Sequence, residues 1–184
     1  IKHFNKAISL RPNYAEAYNN VGIAYQKKGE LNLAAKQIYK AISLNPNYVE
    51  AYNNLATIIQ DQGNVNQAIQ YFNKAIFLNP NYPEAHYNLG LALSELNEFD
   101  SSIQSYKKAL TLKPNYPEAY NSLATIIGQQ GKADEAIRLF KKAILLKPNY
   151  SEAYFNIAII FKKQNRLNEA LDSYQKAINF KPNY

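Results

Sequence analysis

Pro46-Asn47-Tyr48-Val49-Glu50-Ala51 decides the fold, because it returns every 34 residues. Pro12, Pro46, Pro80, Pro114, Pro148 and Pro182 each open the string Pro-Asn-Tyr, and x-Glu-Ala follows the first five. A fixed period of this length marks supersecondary units that bury a core by stacking on their neighbours. With the prolines at position 32, full repeats run 15–48, 49–82, 83–116, 117–150 and 151–184 as one continuous solenoid domain. Residues 1–14 form the second helix of a partial repeat.

Each repeat reads as two helices. Helix A covers about positions 1–14, and Pro83 and Pro117 mark its start, where a missing N–H costs nothing. Position 15 is Gly29, Gly63, Asn97, Gly131 and Asn165, residues that tolerate the left-handed backbone ending a helix. Position 18 is Asn32, Asn66, Asp100, Asp134 and Asn168, expected as N-caps of helix B. Helix B then stops before the proline, which cannot continue it.

Small residues mark close helix approaches. They are Gly22, Ala56, Gly90, Ala124 and Ala158 at position 8, Ala34, Ala68, Ser102, Ala136 and Ala170 at position 20, and alanine at position 27 from Ala7 to Ala177. Large residues fill the space between: Phe4, Ile38, Phe72, Tyr106, Phe140 and Tyr174 at position 24, and Tyr18, Tyr52, His86, Tyr120 and Tyr154 at position 4. Tyr18-x-x-Val21-Gly22-x-x-Tyr25, then Ala34-x-x-x-Ile38, Ala41 and Pro46, resembles the tetratricopeptide repeat pattern, and it recurs in fixed register. Tyr replaces Trp at position 4, and Ile or Leu replaces Tyr at position 11 in the middle repeats. The resemblance implies an all-α chain, a right-handed α-solenoid superhelix with concave and convex faces. It also implies that helix A lines the concave groove.

On helix A, positions 4, 7, 8 and 11 face the core, so positions 2, 6, 9 and 13 face away. Position 6 is Asn20, Asn54, Asn88, Ser122 and Asn156. Asn is a poor helix former, yet its carboxamide can pair with the C=O and N–H of a peptide unit together. This row resembles the ladder of the O-linked N-acetylglucosamine transferases, in which Asn at this position contacts the substrate backbone. That resemblance applies to Asn20, Asn54, Asn88 and Asn156 and fails at Ser122. A general abundance of Asn, as at Asn19 and Asn53, is the alternative origin of the row. Position 9 adds Ile23, Thr57, Leu91, Thr125 and Ile159, read as ligand contacts or as packing on the next repeat. Tyr87 and Phe155 stand at position 5, where other repeats have Asn, as anchors or as filler.

Charge follows the faces. The chain carries a net +7. Position 2 is Glu16, Glu50, Glu84, Glu118 and Glu152, which also suits helix N-termini. Position 13 is Lys27, Asp61, Glu95, Gln129 and Lys163, so the groove is acidic on balance. The basic row lies on helix B: Lys6, Lys40, Lys74, Lys108, Lys142 and Lys176 at position 26. An acidic groove disfavours nucleic acid and a clamp for acidic C-termini, and the Lys row reads as solvated.

No cofactor, metal site or catalytic constellation is expected. Cys is absent and only His3 and His86 are present. His86 stands where other repeats have Tyr, a packing position. Asp134-Glu135 falls in a helix first turn. Asn149-Tyr150-Ser151 matches a glycosylation sequon by chance in an Asn-rich chain. No apolar run is long enough to span a membrane. The chain opens at position 21 and closes on Pro182-Asn183-Tyr184 without a polar cap, leaving Leu171, Tyr174 and Ile178 expected on the surface. The expectation is therefore a cytoplasmic, non-enzymatic scaffold for a protein or peptide partner in extended conformation. The alternatives are an array self-associating through its uncapped ends, and a substrate-presenting segment of a larger glycosyltransferase.

Overall fold

The structure is a computed structural model, and it describes residues 2–182. Ile1, Asn183 and Tyr184, and the side chains of Lys2, Asn5 and Ala7, lie outside that description. The chain divides into two compact units, Ile1–Glu98 and Phe99–Tyr184. The first holds α1 (Lys2–Leu10), α2 (Ala15–Gln26), α3 (Leu31–Leu44), α4 (Val49–Asp61), α5 (Val65–Leu78) and α6 (Pro83–Glu95). The second holds α7 (Phe99–Leu112), α8 (Pro117–Gln129), α9 (Ala133–Leu146), α10 (Ser151–Lys163) and α11 (Leu167–Phe180). Among the described residues every regular element is helical. Within each unit every helix packs on its chain neighbours, α2 touches α4 and α4 touches α6 in the first, and α8 touches α10 in the second, as helix A of successive repeats. That is the α-solenoid pattern of stacked helix pairs.

The turns form where local chemistry demands them. At position 15, Gly29, Gly63 and Gly131 have φ near +80°, and Asn97 and Asn165 have φ of 61° and 59°. The following N–H closes back five residues onto helix A, as in Glu30 N–H to Tyr25 C=O at 3.0 Å and Arg166 N–H to Phe161 C=O at 2.9 Å. This is the Schellman ending of a helix. Between repeats, Pro46 is the second residue of a turn closed by Tyr48 N–H to Asn45 C=O at 3.1 Å. The same bond joins Tyr14 to Arg11, Tyr82 to Asn79 and Tyr150 to Lys147.

The N-cap assignment is corrected. Helix B starts at position 17, and the residue before it, such as Glu30, Asn64, Lys132 or Arg166, makes no side-chain cap bond. The Schellman closure uses the N–H of position 16 and brings helix B in two residues earlier than a position-18 cap allows. Position 18 therefore lies in the first turn and points to the next repeat. Asn32 Oδ1 accepts from Gln62 Nε2 at 2.9 Å, and Asp134 Oδ1 from Gln164 Nε2 at 3.5 Å.

The core is built by the small and large residues of each pair. Ile38, Phe72, Tyr106 and Phe140 are buried, each side chain contributing about 1.5–3 kcal/mol by leaving water. Ala34, Ala68, Ser102, Ala136 and Ala170, four residues before position 24 on the same face of helix B, are also buried. Gly22 is held by close approach: a Cβ there would stand 2.6 Å from Ile38 Cδ1 and 3.1 Å from the Ala34 carbonyl. Leu171 and Ile178 are exposed, and Tyr174 is half-buried against the ring of Phe155. Phe4, on α1, is exposed. None of the helices is long and apolar enough to cross a membrane.

Candidate functional site

Helix A carries its position-6 row partly in the open. Asn20 is exposed, and Asn54, Asn88, Ser122 and Asn156 are half-buried. The residues of position 9, Ile23, Thr57, Leu91, Thr125 and Ile159, are half-buried beside them. Two of these use their hydroxyls on the helix itself: Thr57 Oγ1 donates to the Asn54 carbonyl at 2.8 Å and Thr125 Oγ1 to the Asn121 carbonyl at 2.9 Å.

Where position 5 is Asn, it is the buried member of a pair that the sequence reading missed. In the first unit Asn54 Nδ2 donates to Asn19 Oδ1 at 2.9 Å, and Asn88 Nδ2 to Asn53 Oδ1 at 3.0 Å. In the second, Asn156 Nδ2 donates to Asn121 Oδ1 at 3.3 Å, and Asn121 Nδ2 passes on to Glu152 Oε1 at 3.1 Å. Asn19, Asn53 and Asn121 are 4%, 6% and 3% exposed, so an unmade bond there would be costly. The carboxamides of Asn54, Asn88 and Asn156 are thus aimed from behind, each with one N–H and the oxygen left over. Position 5 is Tyr87 and Phe155 in the remaining repeats, both half-buried, and Phe155 lies edge-on to Tyr174 with ring centroids 5.6 Å apart.

Two helical turns further on, the first unit repeats the device. Gln26 Nε2 donates to Asp61 Oδ2 at 2.7 Å and Gln60 Nε2 to Glu95 Oε2 at 2.8 Å, again 35 residues apart. In the second unit Gly128 occupies the Gln position and Lys163 the acid position. Between them opens a cleft of about 550 Å³, lined by Thr125, Gly128, Phe140, Asn156, Ile159 and Ile160 among others.

The acidic row is not uniform. In the first unit Glu16, Glu50, Asp61, Glu84 and Glu95 face Lys27 alone at positions 2 and 13. Burial pushes the Tyr82 phenol up to about 12, with Glu84 and Glu50 adding to it. Tyr48 is raised by burial first, then by Glu50 and Glu16. In the second unit Lys147 Nζ sits 3.2 Å from Glu118 and 4.5 Å from the Tyr150 ring centre. The Lys row of helix B is exposed from Lys6 to Lys176.

The remaining candidates fall into packing. His86 is 9% exposed, and its Nε2 meets the Pro80 carbonyl at 2.9 Å, which makes Nε2 the protonated nitrogen. Ser151 of the sequon is buried, its hydroxyl donating to the Ala177 carbonyl at 2.9 Å. Among the described residues no three His, Cys, Asp or Glu side chains gather as a metal site.

Comparison with known proteins follows the same repeat. One family model described as TPR repeat matches residues 1–29 and 58–97. Three described as tetratricopeptide repeat match 38–70, 83–116 and 115–183. No curated protein matches the sequence. Among solved structures, the crystal structure of MamA is 28% identical with a TM-score of 0.76, over 88% of this chain and 95% of that one. YrrB, described as a TPR protein with an unusual peptide-binding site, is 24% identical with a TM-score of 0.71, over 98% and 93%. Pseudomonas aeruginosa pilF is 22% identical with a TM-score of 0.85, over 90% and 76%. At these last two identities the likeness is one of fold.

Proposed function

We propose, for a chain that belongs to the tetratricopeptide repeat family, that it holds an extended segment of a protein partner along helix A through its position-6 carboxamides. Scaffolding of protein–protein contacts is typical of the family, and the Asn ladder is the specific means put forward here. The observation that carries this reading is the pairing of Asn54 with Asn19, Asn88 with Asn53 and Asn156 with Asn121. A surface Asn in water has many rotamers and loses them on binding. A carboxamide held from behind has already lost them, so less of its hydrogen-bond energy goes into ordering. Its free N–H and oxygen match the C=O and N–H of a peptide unit, whatever the side chains. YrrB, similar in fold, is itself described as having a peptide-binding site.

Asn20 gives the cleanest test. It is exposed, and no hydrogen bond holds its side chain among the described residues. Asn20→Ala is expected to leave the thermal melt unchanged while weakening binding of a fluorescein-labelled dodecapeptide library in anisotropy titrations. Asn54→Ala, Asn88→Ala and Asn156→Ala are expected to weaken it further, with some loss of stability. Equal affinity across all four variants would sink the ladder.

A further inference from the structure

The cleft beside Gly128 distinguishes the second unit from the first. Position 12 of helix A is Gln26 in α2 and Gln60 in α4 of the first unit, and each Gln reaches a carboxylate of the next repeat, Asp61 or Glu95. That place is therefore filled and its acid occupied. In α8 of the second unit position 12 is Gly128, which has no side chain. The floor of the resulting cleft is apolar: Ala124, Ala133, Phe140 and Ile160. Its mouth carries Thr125, Asn156 and Ile159, which belong to the proposed peptide-contact face, and at its rim stands Lys163. Lys163 is exposed and has no ion-pair partner among the described residues.

The size is also informative. About 550 Å³ falls within the range of roughly 300–1,000 Å³ typical of ligand pockets. An apolar-floored cleft opening on a polar face is the setting in which a single large side chain anchors a bound segment. A carboxylate beside that anchor would meet Lys163, whereas a second cation would be repelled by it.

We infer that this cleft is the specificity pocket of the groove: it takes a bulky apolar side chain of the bound segment, with an acidic residue next to it in the partner paired to Lys163. The inference rests on the peptide-binding reading above. It adds sequence preference to a ladder that on its own reads only backbone. Gly128 is the residue that opens the pocket, since a Gln there, as at the same position of two other repeats, would occupy it. A Cβ at Gly128 would stand 3.3 Å from Ile160 Cδ1 and 3.5 Å from Ala136 Cβ, so only the tip of one Ile must yield.

The test uses the full chain and three hexapeptide probes, acetyl-Gly-Gly-Phe-Glu-Gly-Gly-amide and its Ala-Glu and Phe-Lys counterparts, titrated by nitrogen-15 NMR. The Phe-Glu peptide is expected to bind about tenfold tighter than either counterpart, with shifts centred on Thr125, Gly128, Ile159 and Ile160. Gly128→Gln is expected to abolish that preference without lowering the melting temperature, because Gln is the better helix former. Lys163→Glu is expected to turn the preference from Phe-Glu to Phe-Lys. Three peptides binding alike, with Gly128→Gln silent, overturns the pocket and leaves the backbone ladder standing. No binding by any probe or by the dodecapeptide library overturns both.

Discussion

Asn54 Nδ2 donates to Asn19 Oδ1 at 2.9 Å, joining helix A of one repeat to helix A of the next across 35 residues of sequence. The pair is a structural bond with a functional face. Asn54→Ala strands a buried acceptor on Asn19, which is 4% exposed, and is expected to cost about 1–3 kcal/mol. Replacing both residues removes the need for the bond, so the double variant is expected to lose less than the two singles together. Urea unfolding of the four proteins measures the coupling, and strict additivity would show that the bond carries nothing.

The parts of this molecule that follow from local chemistry were legible in the sequence. Pro83 starts a helix because its missing N–H is harmless there, and Asn97 ends one because it accepts φ of 61°. Asn32 misled because a residue suited to capping can equally bond Gln62, thirty residues away, and nothing local separates the two. The Asn row of the candidate site is visible as a column, whereas the buried partners behind it, Asn19, Asn53 and Asn121, do not stand out from the chain's general abundance of Asn. A signal existed: position 5 loses Asn at Tyr87, and position 6 loses it at Ser122, 35 residues on. The cleft could not be read at all, because a lone Gly128 looks the same whether a neighbour fills its space or leaves it open.

Gly22 and Ile38 set the closest approach of α2 and α3. A methyl group at Gly22 would meet Ile38 Cδ1 and Cγ1 at 2.6 and 2.7 Å, and Ile38 is fully buried, so its side chain must shift within the core. Overpacking of this kind costs about 1–3 kcal/mol, against roughly 1 kcal/mol gained in helix propensity. Gly22→Ala is therefore expected to be neutral to destabilising by about 2 kcal/mol in urea unfolding. A clearly more stable variant would show that the helices separate at little cost.

Gly63 isolates a backbone effect. Its φ is +84°, and nothing lies within 4 Å of where a Cβ would stand. Gly63→Ala is expected to lose about 1–2 kcal/mol from the left-handed conformation alone. Gly63→Asn is expected to lose less, since Asn97 and Asn165 occupy the same turn position. Chemical denaturation of the two variants ranks them, and Ala tolerated as well as Asn would contradict the strain.

Tyr82 links the acidic face of the first unit to alkaline stability. Its phenol is held up at about 12, against 10.0 for a free tyrosine, by burial and then by Glu84 and Glu50. The folded state therefore prefers the neutral phenol more strongly than the unfolded chain does. A raised pKa contributes stability that is complete below pH 10 and is lost as pH climbs through 12. Tyr82→Phe cannot ionise, so its melting temperature is expected to fall less steeply than that of the parent across that window. Glu84→Gln removes the charge with the larger effect and is expected to let Tyr82 ionise earlier, seen as a shift of the 295 nm absorbance titration to lower pH. Identical alkaline profiles for the parent and Tyr82→Phe would mean that this phenol ionises as freely in the folded chain as in water.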